Sequence, residues 1–369
     1  MDLELSDEQR WLDESINTLL ERQWPPAQDA WQAGDTERTR LWESLVEFGL
    51  VAGAESELGA IELCLAARAI GGHLASVPLL GSVGVRYALA PVAAGLPDGL
   101  SVLLESASRL SIALLEPGGG WSMSGVGATV TSNRLTGIKA AVEHAPSVEY
   151  LAVVAVVDGE PGLAIVRSDA PGVELTPQSS LDATVPLSRA AFAEAEVEAV
   201  FEHELAATII DRLLSIAALL VAAEAVGAAE RIFALARQYA SERRQFGRTI
   251  ASNQALRHLM ADLHVRQASS WSTTLYAAAA LDDGIPLAGQ TASVAKAYVS
   301  RAAREVAHGS IQVFGGIAFT EEHPAHRFLR RIIVREQQFG DAAHHERELG
   351  RALAAGAAAR ERPTAVSAR

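Results

Sequence analysis

An arginine and a pair of glycines lie at helix ends in the C-terminal half of the sequence, where they could bind an anion. Arg243 comes three residues before Phe246, which a glycine follows, within an otherwise helical pattern. A later helical pattern carries Gln312 and ends at Gly315 and Gly316. The guanidinium group is permanently charged and presents several N–H donors in one plane, and glycine lets the backbone approach a ligand closely. This spacing predicts an anion-binding corner between helices.

Each of these residues also has an ordinary structural explanation. Arg243 could be a solvated charge at a helix end, and Gly315-Gly316 could simply form a turn. The triple glycine at 118–120 could cradle a phosphate, but no Lys-Ser or Lys-Thr follows it and no helix is predicted to begin there. A flexible turn is therefore the favoured interpretation of that segment.

Composition and charge exclude several classes of protein. The 369 residues are 49% hydrophobic and carry a formal charge of −14, which disfavours a nucleic-acid partner. The sequence lacks an apolar run of about 18 residues free of charge and a basic, apolar leader, so we expect no membrane segment and a cytoplasmic protein. Cys64 lies in an apolar run and is expected to be buried.

The histidines do not form a metal-binding pattern. His323 and His326 are close in sequence, as are His344 and His345, but no cysteine or carboxylate at ligand spacing completes either group. We therefore expect no metal.

The order of predicted elements is helices, then strands, then helices. Residues 1–100 have helical periodicity, beginning with a capping signal at Ser6. Residues 101–205 contain short strands separated by turn residues, which favours a small antiparallel β domain. Residues 206–353 predict four long, alanine-rich helices arranged as a bundle, and residues 354–369 a flexible tail. The predicted fold class is α+β.

Two motifs in the last helical domain resemble those of the acyl-CoA dehydrogenase family. The first is Arg-x-x-Phe-Gly-x-x-Ile-x-x-x-Gln, ending in Leu-x-Ala-Asp; the second is Gln-x-x-Gly-Gly-x-Gly-Phe, then Glu-x-Pro-x-x-Arg-x-x-Arg. The matching residues are Arg243, Phe246, Gly247, Ile250, Gln254, Leu259, Ala261 and Asp262, then Gln312, Gly315, Gly316, Phe319, Glu322, Pro324, Arg327 and Arg330. Ala318 replaces the third glycine. The resemblance covers nearly the whole chain and implies the family's three-domain fold.

In that family these motifs reach across a dimer interface to the FAD of the neighbouring subunit. The resemblance therefore implies that Arg243 meets the FAD pyrophosphate. It also implies that Phe246, Gln312, Gly315 and Gly316 help to hold the ADP half of that cofactor.

The middle domain departs from the family at the flavin ring. The family's Thr-Glu-Pro-x-x-Gly-Ser-Asp segment corresponds here to residues 115–122. Leu115, Trp121 and Ser122 stand in place of the family's threonine, serine and aspartate, so those hydroxyl and acidic partners are missing. Its Gly-x-Lys-x-Trp-Ile-Thr segment corresponds to residues 137–143, with Ala141 in place of the aromatic and Glu143 in place of the hydroxyl. A carboxylate at Glu143 would oppose the negative charge of a reduced flavin.

The catalytic base of the family is also missing from its usual position. Gly340 stands where most members have the base glutamate, followed by Asp341. A minority of members take the base from the first long helix of the bundle, where this chain has Asp211. Aspartate is shorter by one methylene, so Asp211 is a candidate base with a reduced reach. The alternative is an acid stabilised by the helix dipole.

These features together predict one subunit of a two-chain enzyme. The resemblance is to the smaller subunit of actinobacterial heterotetrameric acyl-CoA dehydrogenases of steroid side-chain breakdown. It implies an α2β2 assembly with FAD shared across the interface, a bulky acyl-CoA substrate, and electron transfer to an electron-transfer flavoprotein. Two alternatives stay open: a self-sufficient homotetramer with Asp211 as base, and a noncatalytic helical assembly protein.

Overall fold

A computed structural model describes residues 3–51, 58–95, 107–121, 123 and 125–361. The N-terminal helices are α1 (Asp7–Gln23), α2 (Asp35–Glu47), α3 (Ala60–His73) and α4 (Leu79–Leu89). The predicted cap of α1 is confirmed, because the Ser6 hydroxyl accepts from the Gln9 amide and the Gln9 side chain accepts from the Ser6 amide. The predicted domain boundary at residues 100 and 101 lies outside the described residues.

The middle region is a β-sheet of eight strands. They are β1 (Leu110–Ala113), β2 (Thr129–Thr131), β3 (Arg134–Glu143), β4 (Tyr150–Val157), β5 (Glu160–Arg167), β6 (Val173–Gln178), β7 (Leu187–Glu196) and β8 (Ala199–Phe201). Their order is β6-β7-β3-β2-β4-β5-β8, and β1 also pairs with β4.

The sheet is mixed, which corrects the prediction of an all-antiparallel domain. β1 and β2 both run parallel to β4, and the other pairs are antiparallel. Tight turns explain the antiparallel hairpins: Ser132 and Asn133 connect β2 to β3 with positive φ, and Asp158 and Gly159 do so between β4 and β5. The parallel pairs join strands that are not consecutive, so no local turn signal in the sequence marks them.

The C-terminal region contains five helices where four were predicted. They are α5 (His203–Glu242), α6 (Gln254–Asp282), α7 (Ala288–Phe314), α8 (Ala325–Gln337) and α9 (Ala342–Glu361). The predicted last helix is divided because Phe339 and Gly340 have φ values of 54° and 99°, which an α-helix does not accommodate. α9 continues to Glu361, past residue 354, where we expected a flexible tail.

Helix α5 is the core of the molecule. It has 40 residues and packs against helices of both helical regions and against β5. It is the one described helix that is long and apolar enough to cross a membrane, but 61% of its most apolar window is buried inside the protein, as in a core helix. Gly71 of α3 and Gly227 of α5 allow the two helices to cross in backbone contact, since a Cβ on either would overlap a backbone carbonyl of the other helix.

We predict that Gly227→Ala lowers the free energy of unfolding by about 3 kcal/mol, because the new methyl overlaps the Arg68 carbonyl oxygen. Gly350→Ala is the matched control: Gly350 is also helical, its Cβ would meet open space, and alanine should stabilise α9 by about 0.5–1 kcal/mol. Urea denaturation of the two variants measures both effects. Equal stability of the two variants would contradict a backbone contact at this crossing.

Candidate functional site

A small cavity lies where the sheet meets the C-terminal helices. Its volume is about 20 Å³, enough for a water molecule but not for a three-ring flavin. Ala141 and Glu143, the residues that replace the family's flavin contacts, line it. The Trp121 and Phe339 rings also line it and lie 5.1 Å apart between centroids. The chain therefore fills with its own side chains the region where its sequence motifs would place an isoalloxazine.

Glu143 is part of a buried ion-pair network beside this cavity. Its Oε2 and Oε1 atoms accept from Arg335 Nη1 and Nη2 of α8 at 2.6 and 2.9 Å. Arg335 Nε also donates to Glu224 Oε2 of α5 at 2.8 Å. The carboxylate at 143 therefore serves as an anchor between β3 and α8.

Arg331, one helical turn before Arg335, extends the network. It donates to Asp182 at 2.6 Å, to Glu224 at 3.0 Å and to the Thr184 hydroxyl at 2.6 Å. A further bond at 3.0 Å reaches the carbonyl of Ala75, just after α3. The network thus connects the N-terminal helices, the sheet and the C-terminal helices.

Burial and charge pairing act in opposite directions on the pKa values of these carboxylates. Burial raises the pKa of Glu143, but the Arg335 guanidinium outweighs it and lowers that pKa from 4.5 to about 2. Burial raises the pKa of Glu224, although Arg335 and Arg331 oppose that shift. Because the folded-state pKa of Glu143 is depressed, its contribution to stability is present above about pH 4.5 and is lost as the pH falls towards 2.

We predict that Arg335→Met lowers the free energy of unfolding by about 3–5 kcal/mol, since it leaves two buried carboxylates without their shared partner. The loss should be largest near neutral pH and should shrink as the pH falls from about 4.5 towards 2, where Glu143 is protonated in either protein. Urea denaturation at several pH values measures this.

The matched control for that change is Arg301→Met. Arg301 pairs with Glu346 at the surface, and both side chains are about half exposed. Its loss should cost at most about 1 kcal/mol. If the two substitutions destabilise equally, the buried network does not carry the stability assigned to it.

A side chain at Gly340, where the family has its catalytic glutamate, would displace the His344 ring. A Cβ on Gly340 would lie 2.5 Å from His344 Cδ2, and the φ of 99° is strained for any larger residue. Asp341, the neighbouring candidate, accepts from the His344 amide at 2.7 Å and so begins α9. His345 contacts the Phe339 carbonyl oxygen at 3.0 Å, and Lys296 donates to the carbonyls of Arg335 and Glu336 at 2.8 Å. No pattern in the sequence predicts that Lys296 donates to these two carbonyls.

Asp211 lies near the beginning of α5 and is exposed. Partial burial by its neighbours raises the pKa of its carboxyl. It is not among the residues that line the small central cavity. The adjacent Arg212 stacks over the Tyr87 ring at 4.9 Å and donates to the Tyr87 carbonyl at 3.3 Å. The role of Asp211 as a base stays a prediction.

Hydrogen bonds and an ion pair hold the Glu-Pro segment of the middle domain in place. The Glu116 carboxylate accepts from the Gly127 and Ala128 amides at 2.9 and 3.0 Å and from the buried Lys139 ammonium at 2.6 Å. Gly118 has a φ of 74°, as expected for the predicted turn. Ser122, at the end of this segment, lies outside the described residues. Glu116 therefore holds the connection between β1 and β2 in place.

The first predicted anion-binding segment forms a hairpin that points into solvent. Arg243 ends α5, and β9 (Arg244–Gln245) pairs with β10 (Arg248–Thr249) around a turn at Phe246 and Gly247. Both turn residues have positive φ, as a tight two-residue turn requires. The Phe246 side chain is 100% exposed, and the Arg243 side chain is also exposed.

The second segment lies at the end of α7. Gln312, Gly315 and Gly316 are exposed, and a Cβ on either glycine would meet nothing within 4 Å. Phe314 packs against Tyr239, which is one turn before Arg243, with ring centroids 5.5 Å apart. This contact joins the end of α5 to the end of α7. The structure therefore brings the two predicted segments to neighbouring helix ends and leaves both open.

A groove adjoins the hairpin, and Ala261 of the first motif lines it. It has a volume of about 770 Å³ and lies between the second half of α5 and the first half of α6. Polar and charged side chains line it, among them Arg237, Gln238, Ser241, Arg257 and His264. Periodicity assigns these residues to exposed helix faces but does not show that two such faces enclose one groove.

Comparison with known proteins finds similarity to acyl-CoA dehydrogenases. The family model for "Acyl-CoA dehydrogenase, C-terminal domain" matches residues 207–354. The chain is 29% identical to acyl-CoA dehydrogenase FadE27 of Mycobacterium tuberculosis over 336 residues, which cover 85% of this chain and 88% of the relative. The chain is thus similar to an acyl-CoA dehydrogenase over most of its length, and its residues 207–354 match the C-terminal domain of that family. The fold class predicted from the sequence is confirmed by the order of helices, sheet and helices in the structure.

Further acyl-CoA dehydrogenases are similar over part of the chain or in structure. The chain is 40% identical to acyl-CoA dehydrogenase IpdE2 of Mycolicibacterium smegmatis over 138 residues, which is 37% of this chain and 42% of IpdE2. That match thus spans less than half of the relative. A solved structure of a variant of the Tcur3481-Tcur3483 steroid ACAD superposes with a TM-score of 0.85 and 26% identity, covering 95% of this chain and 99% of that chain.

Proposed function

We propose that this chain is the cofactor-donating subunit of an FAD-dependent acyl-CoA dehydrogenase assembled with an unlike partner subunit. The observation that carries the proposal is the central cavity of about 20 Å³, lined by Trp121, Phe339 and Glu143. A chain with that interior does not hold a flavin ring of its own. The family's cross-subunit segments are nevertheless present and face outward.

The outward segments fit the ADP half of FAD. Arg243 offers an exposed guanidinium for the pyrophosphate, and Gln312 offers an amide. The backbone at Gly315 and Gly316 is open to close approach, because no atom lies within 4 Å of the space that a Cβ would take. Phe246 would place its exposed ring against the partner's surface. When bound, FAD supplies the two-electron oxidation, and this chain's residues position its phosphate end.

The remaining catalytic parts are assigned to the partner. Gly340 has no side chain to serve as the family's base, so the proton at the substrate α-carbon is taken by a carboxylate of the partner. The flavin-ring contacts and most of the acyl-CoA pocket belong to the partner for the same reason. The assembly is α2β2 with two FAD molecules, and electrons pass to an electron-transfer flavoprotein.

The substrate class in this proposal is a bulky acyl-CoA that undergoes α,β-dehydrogenation. Support comes from the similarity to the solved Tcur3481-Tcur3483 steroid acyl-CoA dehydrogenase. The partial similarity to IpdE2 gives further support for an acyl-CoA substrate.

The decisive experiment is co-expression with a dehydrogenase-like partner, followed by measurement of FAD per complex. We expect one FAD for each pair of unlike chains. Arg243→Gln should weaken FAD binding by at least about tenfold, because a charge-assisted hydrogen bond contributes about 1.5–3 kcal/mol. Arg134→Gln, at an exposed arginine of β3, is the control and should leave FAD content unchanged.

The other outcomes favour the alternatives. One FAD per chain, or a yellow preparation of this chain alone that is bleached by acyl-CoA, would indicate a self-sufficient homotetramer. Full FAD content in the Arg243→Gln complex would indicate a noncatalytic assembly protein.

We predict that Asp211→Asn leaves the turnover number of the complex within about twofold of the wild-type value, since the partner supplies the base. A loss of an essential general base costs about 10²–10⁴-fold in rate. Steady-state kinetics with an artificial electron acceptor distinguish the two results. A hundredfold fall with normal FAD content would identify Asp211 as the base.

A further inference from the structure

A polar cavity lies between α2 and the beginning of β4, and the proposed function does not use it. Its volume is about 270 Å³. It shares Pro78 and His144 with the small central cavity but is otherwise lined by different residues. Arg38 of α2, Ser76 after α3, and Arg109 before β1 contribute the polar wall. This region is remote in sequence from the segments assigned to FAD.

Two donors in this wall have no partner within the described part of the chain. The Ser76 hydroxyl is unpaired, and its residue is only 1% exposed. The Nε atom of Arg38 is buried and also unpaired. Leaving a buried donor unpaired costs about 1–3 kcal/mol, so buried polar groups in folded proteins usually have a partner. Both donors are therefore available to a bound group that enters this cavity.

The Arg38 charge is only loosely compensated. Its Nη1 atom lies 3.6 Å from Asp35 Oδ1, and the Asp35 side chain is 95% exposed. An ion pair with so exposed a partner contributes little, and Asp35 can turn towards solvent. The cavity therefore has a cation available to a stronger acceptor.

The other charged groups around the cavity are already paired or neutral. Arg109 is bound to Glu149 through Nε at 3.0 Å and Nη2 at 2.5 Å. Burial lowers the pKa of His144 to about 4, and the nearby arginines add to that effect, so the imidazole is neutral at pH 7. A neutral imidazole still offers one N–H donor. Among the residues that line this cavity, Arg38 is therefore the cation without a strong ion-pair partner.

We propose that this cavity binds a phosphate group, which displaces Asp35 from Arg38 and accepts from the Ser76 hydroxyl. A tetrahedral oxyanion accepts hydrogen bonds from several directions. It can therefore accept from Arg38 of α2 and from the Ser76 hydroxyl after α3 at the same time. Ligand pockets for drug-sized molecules measure about 300–1,000 Å³, so the ligand is inorganic phosphate or the phosphomonoester end of a small metabolite.

Calorimetric titration of the full chain in its purified complex tests this proposal. Inorganic phosphate and glycerol 3-phosphate are the two probes, and sodium chloride at equal ionic strength is the blank. We expect saturable binding of at least one probe, weakened at least tenfold by Arg38→Gln and several-fold by Ser76→Ala. Arg40→Gln, an exposed arginine on the same helix, is the matched control and should bind like wild type.

Thermal unfolding provides a second readout. Without phosphate, Ser76→Ala should be at least as stable as wild type, because it removes an unpaired buried hydroxyl. With phosphate, wild type and Arg40→Gln should gain the most stability, Ser76→Ala less, and Arg38→Gln the least. Binding of inorganic phosphate alone identifies the free ion as ligand, and binding of both probes identifies a terminal phosphate. No binding by wild type, or equal weakening by Arg38→Gln and Arg40→Gln, overturns the proposal.

Discussion

The buried pairing of Arg331 and Arg335 with acidic side chains is the interaction on which this structure depends. Two arginines of one short helix reach Asp182 and Glu143 of the sheet region and Glu224 of α5. Desolvating so many charges is expensive, and their mutual attraction offsets that cost only where every member keeps its partners. The relative position of sheet and helices is therefore narrowly specified. The same pairing occupies space beside the position that family members give to a flavin ring.

Much of the architecture could be predicted from the sequence because its signals are local. Capping at Ser6, turn residues between strands and apolar periodicity all act over a few positions, and the order of helices and strands follows from them. The parallel pairing of β1 and β2 with β4 and the break at Phe339 were not predicted. A strand's partner is fixed by the whole sheet, and a phenylalanine at positive φ is rare enough that no propensity indicates it.

The sequence indicates the candidate segments where the family motif is contiguous, and it does not indicate contacts that join distant segments; the cofactor-binding role of the segments stays a prediction. Arg243, Gln312 and the paired glycines stand at recognisable spacing, and the structure places them at adjacent helix ends. The sequence did show that Glu143 is unsuited to face a reduced flavin. It did not show that Arg335 is its partner, because 192 positions separate the two residues. The polar cavity between α2 and β4 has the same character, since the residues of its wall come from separate elements.

The exposed Phe246 side chain, in the turn of the β9–β10 hairpin, has a consequence for the lifetime of the chain in the cell. The phenyl ring of Phe246 is fully solvated, and Ile317 and Phe319 of the second segment are also exposed. Under the proposed function, this apolar surface is uncovered between synthesis and assembly, when chaperones and proteases can recognise it. That proposal implies that copies without a partner are short-lived, so that balanced production of the two chains is favoured over excess of either.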